Sequence, residues 1–215
     1  MSMKLISWPQ CWLLALALAV GPSVRAADYY WIDGAGNWGT SGNWFTNGIP
    51  VASDRAIITN GVRAAPSEVL VTNTRSSFAV YLGYNPALGS AQTQAFTNNT
   101  LRVTGPAARL TVGNWLSNTG GIYLGTSKHS ANYCSSNSLI VENNARLTAR
   151  VVSRDTASGY DNRPVGDQLI TIRSGGVLHL TQTNYYGFRV KDGTVTIDDG
   201  TVTCSNGYFN TWGTA

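Results

Sequence analysis

The most constraining feature of this chain is a unit that occurs four times. Residues 101–112 (LRVTGPAARLTV), 139–148 (LIVENNARLT), 170–180 (ITIRSGGVLHL) and 195–204 (VTIDDGTVTC) each read as strand, turn, strand. Apolar residues two apart flank a short break of small or polar residues, so alternate side chains point inward and the others outward. Gly, Asn, Asp and Ser supply the turns, because they tolerate the left-handed backbone that a tight reversal needs.

The anchors Val103, Val141, Ile172 and Ile197 follow one another at intervals of 38, 31 and 25 residues. Those intervals are uneven, yet they lie within the range of about 20–50 residues that repeat architectures use. A second echo runs alongside. Val80–Gly83 (VYLG) returns as Ile122–Gly125 (IYLG), and Asn99 before Leu101 returns as Asn137 before Leu139. Stacked coils, each burying one face on its neighbours, account for both echoes. The expected fold is therefore all-β, a parallel β-helix with Val103, Leu110, Val141, Leu147, Ile172, Leu178, Ile197 and Val202 in one core. A β-sandwich whose strands share one binary pattern is the alternative.

The first 26 residues read as an export signal. Lys4 precedes an apolar run from Cys11 to Val20, Gly21 and Pro22 break it, and Val24–Ala26 offers small residues for cleavage. The run is shorter than the roughly 20 residues of a membrane span. Loss of Lys4 and Arg25 leaves 13 basic against 11 acidic residues, so the net charge of +4 falls to about +2. With no Lys/Arg cluster remaining, a nucleic-acid partner is not expected. Cys134 and Cys204 are the cysteines of the mature chain, too few for a disulfide scaffold, and whether they pair is open.

Residues 29–60 form a different kind of segment. Trp31, Trp38 and Trp44 stand among Gly and Asn, then Pro50 and Asp54 precede the apolar Ala56–Ile58. Such composition favours tight turns pinned by indole rings over a helix. Tyr30–Trp31, the turn at 34–38 (GAGNW), Gly42–Trp44, Pro50 and 54–58 (DRAII) resemble the mature start of secreted bacterial β-helix proteins. These are the autotransporter-passenger-like and PEP-CTERM-type surface proteins. The resemblance implies a right-handed parallel β-helix at or released from the cell surface, and no catalytic residues. It covers about thirty residues closely and the remainder as a pattern. In departure from that resemblance, no membrane barrel or C-terminal sorting helix is expected within residues 27–215, and the chain is expected to be an incomplete solenoid with Tyr208, Phe209 and Trp212 exposed.

The resulting layout is a signal at 1–26, a Trp-rich cap at 27–60 and β-solenoid repeats at 61–215. Candidate chemistry is sparse. Trp38 and Trp44 offer either packing for the cap, the preferred reading, or platforms for sugar rings. Asp54 reads as a turn cap, and Asp198–Asp199 as a turn rather than an acid–base pair. Arg189 and Lys191 alternate on one strand, where a polysaccharide lyase would place its basic proton abstractor. His129 and His179 stand alone, without zinc-site spacing, and His179 is expected outward between Leu178 and Leu180. The least strand-like segment, residues 153–167, carries Asp155, Tyr160, Asp161 and Arg163. It lacks the alternate acids of a calcium loop and is the preferred place for partner contact.

No catalytic residue, cofactor or metal follows from these residues. The expected role is that of an exported structural or adhesin-like surface protein, with extracellular polysaccharide or cell-surface components as partners. A β-helical polysaccharide-binding or lyase-like protein is the alternative.

Overall fold

The computed structural model describes residues 26–32, 34–45, 47–59, 66–83, 97–113, 120–125, 136–153, 167–181, 188–191, 193–205 and 209–212. The chain enters with β1 (Asp28–Tyr30), β2 (Ala35–Asn37), a 3-10 turn at Ser41–Asn43, and β3 (Arg55–Ile58). The first complete round is β4 (Glu68–Val71), β5 (Thr74–Ser77) and β6 (Ala79–Leu82). The second is β7 (Thr100–Thr104), β8 (Arg109–Val112) and β9 (Gly121–Leu124), and the third β10 (Ser138–Glu142), β11 (Arg146–Ala149) and β12 (Val152–Ser153). The fourth is β13 (Gln168–Arg173), β14 (Val177–Leu180) and β15 (Phe188–Lys191), and the last β16 (Gly193–Asp198), β17 (Thr201–Cys204) and β18 (Phe209–Trp212).

Each round contributes one strand to each of three sheets. The seven-stranded sheet runs β1-β3-β6-β9-β12-β15-β18, the six-stranded sheet β16-β13-β10-β7-β4-β2, and the five-stranded sheet β17-β14-β11-β8-β5. Neighbouring strands within every sheet are parallel, and the isolated Trp31–Trp44 bridge is antiparallel. Parallel neighbours one round apart define a β-helix. A sandwich would instead need antiparallel strands in two facing sheets.

The repeat anchors are the register of the helix. Val103, Val141, Ile172 and Ile197 pair in succession across the six-stranded sheet. Leu110, Leu147, Leu178 and Val202 do the same across the five-stranded sheet, and Val80 pairs with Ile122 across the seven-stranded one. Strand register therefore holds while the number of residues per round varies. The variation is taken up at two corners, from the five- to the seven-stranded sheet, where 113–120 compares with 150–151, and more widely from the seven- to the six-stranded sheet. Residues 83–99, 125–137 and 154–167 bridge that corner, against the single residue 192 in the fourth round.

Inward side chains form one continuous core. Val103, Leu110, Val141, Leu147, Ile172 and Leu178 are all buried in it, and Val202 packs partly buried against it. Ile197 corrects the expectation, since it is 49% exposed. Its strand β16 has β13 on one side and, among the described residues, no strand on the other. An inward column needs a rung on both sides to exclude water.

Turns between the six- and five-stranded sheets use residues with positive φ, namely Gly105, Asn143, Asn144, Ser174, Gly175 and Asp199. Asp199 thus sits in a turn, as read from sequence, while Asp198 ends β16 in register with Arg173. At the other corner Gly83 has φ +72°, and a Cβ there would collide with the side chain of Asn137. That explains why the VYLG motif ends in glycine.

The tryptophan segment is continuous with the solenoid. β1 pairs with β3, and β2 pairs with β4, so the cap extends two of the three sheets. Asp54 closes its turn as expected, with Oδ2 accepting from Val51 N at 3.0 Å and Oδ1 from Ala27 N at 3.3 Å.

Candidate functional site

Trp31, Trp38 and Trp44 are wholly buried. Trp44 meets both partners edge-on, with ring centroids 5.0 Å from each, and its Nε1 donates to the Trp38 carbonyl at 2.8 Å. Edge-to-face contact places the positive ring edge against a negative face. In this packing neither Trp38 nor Trp44 presents a free face to a sugar. Asp155, Tyr160, Asp161 and Arg163 lie outside the described residues, as do the signal segment, His129, Cys134 and Tyr208. Of Arg189, Lys191, Phe209 and Trp212 only the backbone is described, in β15 and β18.

The outer surfaces of the three sheets differ chemically. On the six-stranded sheet charges alternate in sign from rung to rung. Arg102 donates to Glu68 at 3.0 Å and to Glu142 at 2.8 Å, while Arg173 donates to the other oxygen of Glu142 at 2.7 Å. Partial burial opposes the charge on Glu142, but hydrogen bonds from both guanidinium groups outweigh it and hold the carboxyl below its ordinary range. The acid is 7% exposed, clamped between two rungs' arginines.

On the seven-stranded sheet Tyr81 and Tyr123 stand in register and stack with centroids 5.1 Å apart and planes 23° apart. Burial pushes the Tyr123 phenol up, with the Arg150 charge acting in the opposite direction. Burial likewise lowers the Arg150 guanidinium, and its Nε donates to the Gly120 carbonyl at 3.1 Å. The VYLG/IYLG echo aligns Tyr81 with Tyr123, so the ladder follows from the register of the echo.

The five-stranded sheet carries no acid at any outward position. One outward row is Thr74, Arg109, Arg146, Val177 and Thr201; the next is Ser76, Thr111, Thr148, His179 and Thr203. Arg109 and Arg146 are exposed and directly opposed on adjacent strands. His179 is outward, as expected, with Nδ1 2.7 Å from the Thr203 hydroxyl and Nε2 3.3 Å from that of Ser205. Cys204 packs inward as a free thiol, pushed up by burial.

The inward side of the same sheet holds a residue that alternation alone misplaces. Arg75 pairs with core Leu110, so it occupies an inward column of the first complete round. Its guanidinium lies against Gly39, where a Cβ would collide with it, and its Nη1 donates to the Thr74 carbonyl at 3.2 Å. Closeness to the cap's glycine turn is what admits a cation there.

Among the described residues no group of three or more His, Cys, Asp or Glu is gathered to hold a metal ion. Among them, too, no helix is long and apolar enough to cross a membrane. No protein family, characterised protein or solved structure matches this chain.

Proposed function

We propose that this chain is an exported, rigid surface scaffold with an adhesin-like role, of the autotransporter-passenger-like or PEP-CTERM type. One observation carries the reading: a core running unbroken through stacked rungs, from Trp31 and Trp38 in the cap to Leu180 and Phe188. A solenoid of this kind gains length by repetition and presents long, flat walls, which suits display more than enclosure of a substrate. The signal-like residues 1–26 and the cap that resembles secreted β-helix proteins support export. Polysaccharide binding is the second reading, favoured by the arginine and hydroxyl rows of the five-stranded sheet.

Fractionation of cells producing the tagged chain tests the proposal. The expected product starts at Ala27 and is found outside the cytoplasm, where added protease reaches it on intact cells. A cytoplasmic product that keeps residues 1–26 would overturn it.

A further inference from the structure

From the contrast between two walls of the solenoid we infer a binding surface for a linear acidic polysaccharide on the outer face of the five-stranded sheet. The inference deepens the scaffold reading and rests on it for the encounter with extracellular polymer.

The six-stranded wall shows how this fold neutralises an arginine. Arg102 and Arg173 each meet a carboxylate on a neighbouring rung. The five-stranded wall does the reverse. Arg109 and Arg146 are opposed in register, exposed, and without an ion pair among the described residues. Like charges directly across a strand pair destabilise it, and the hydrogen bond that Arg109 Nη1 donates to the Ala108 carbonyl at 2.7 Å leaves that repulsion in place. An anion bridging the two guanidinium groups removes the repulsion, and each guanidinium offers a planar fork suited to a carboxylate or sulfate.

Beside the two arginines runs a row of hydrogen-bonding groups, Thr111, Thr148, His179 and Thr203. Hydroxyls both donate and accept, which matches the hydroxyls of a sugar chain, while the His179 ring is held by Thr203 and Ser205 and holds the Thr203 hydroxyl in the row. Rungs recur every ~4.8 Å along the helix axis, so a polymer lying along that axis meets one set of groups per rung. No Phe, Tyr or Trp occupies an outward position of this sheet, and the one outward ring, His179, is hydrogen-bonded to Thr203 and Ser205, so the face lacks the file of aromatic rings on which nucleic-acid bases stack. The charge pattern thus fits a polyanion, and the hydroxyl row fits carbohydrate.

Retention of the full chain on immobilised polygalacturonate tests the inference, with dextran, duplex DNA and phosphatidylglycerol vesicles as comparison probes. Wild-type protein should bind polygalacturonate, release it as salt rises, and ignore dextran. The double variant R109Q/R146Q should bind about tenfold more weakly, as expected for two exposed ion pairs acting together. R109K/R146K should keep most of the affinity. In the wild-type chain, bound polygalacturonate should also protect Arg109 and Arg146 from phenylglyoxal, read residue by residue by mass spectrometry. This second measurement does not depend on how the variants fold.

Absence of wild-type binding, unchanged binding by R109Q/R146Q, or unprotected arginines in the complex would each overturn the inference. Tighter binding to DNA or to the vesicles would transfer the wall to a different polyanion and overturn the carbohydrate assignment. Binding to purified polymer is independent of where the cell places the chain, so fractionation and retention can fail separately.

Discussion

Asn137 Oδ1 accepts two hydrogen bonds from the residue one rung before it, from Asn99 N at 3.1 Å and from Asn99 Nδ2 at 3.0 Å. Asn99 Oδ1 in turn accepts from Ser67 N at 3.0 Å, and both asparagines are wholly buried. This ladder lines the corner where the chain re-enters the six-stranded sheet. It satisfies backbone groups that uneven loops would otherwise leave without partners.

Replacing Asn137 by Ala should therefore cost about 1–3 kcal/mol, since it strands a buried backbone N–H as well as an amide. Urea unfolding measures it. A midpoint matching that of the wild type would show that water fills the gap at no cost.

Trp44→Ala should destabilise by about 3–5 kcal/mol, the range for emptying a large aromatic site. Trp44→Phe should cost less, losing the hydrogen bond to the Trp38 carbonyl and part of the edge contact. Thermal unfolding followed by near-ultraviolet circular dichroism separates the two. Equal melting of both variants would detach the indole N–H from the cap's stability.

Glu142 predicts an acid-sensitive step. Its folded-state carboxyl titrates below the ordinary glutamate value, so its stabilising effect is fully present above that value, about 4.3. The effect fades as pH falls through the lower folded value, because protonation breaks the clamp on Arg102 and Arg173. Glu142→Gln should flatten this part of the melting-temperature profile. An unchanged acid limb would mean that other carboxylates set it.

Two residues in one inward column offer a matched pair. Ile172 is fully buried and Ile197, its register partner, is 49% exposed. Ile172→Ala should cost about 2–5 kcal/mol. Ile197→Ala should stay within about 1 kcal/mol, as for substitutions outside a packed core. Similar losses at both sites in urea unfolding would mean that Ile197 is covered in solution.

Much of the fold was legible because a parallel β-helix writes its register into the sequence. Val103, Val141 and Ile172 could be matched by eye, since each begins the same strand-turn-strand phrase and each occupies the same rung position. The outward contacts were not legible in this way. Alternation says that Arg102 and Glu142 face out; their pairing emerges only once loops of unequal length are discounted. The opposition of Arg109 to Arg146 was legible in the shared phrase Ala-Arg-Leu-Thr at 108–111 and 145–148, but the lack of a neighbouring carboxylate needed the structure. Arg75 escaped because its column ends against a glycine turn, a local exception to the rule that inward means apolar. The proposed contact residues at 155–163 fall outside the described residues, so the candidate surface rests on a wall that drew no attention in the sequence beyond the outward histidine.

The corner between the seven- and six-stranded sheets has a practical consequence. Residues 83–99, 125–137 and 154–167 all leave the seven-stranded sheet and return to the six-stranded one, on successive rungs. Foreign peptides spliced into those three segments would be anchored in a vertical file at fixed increments, each tethered at both ends to a rung. The molecule would then serve as a molecular ruler for arranging epitopes or enzymes at chosen separations, because its graduations are hydrogen-bonded strands and not counted residues.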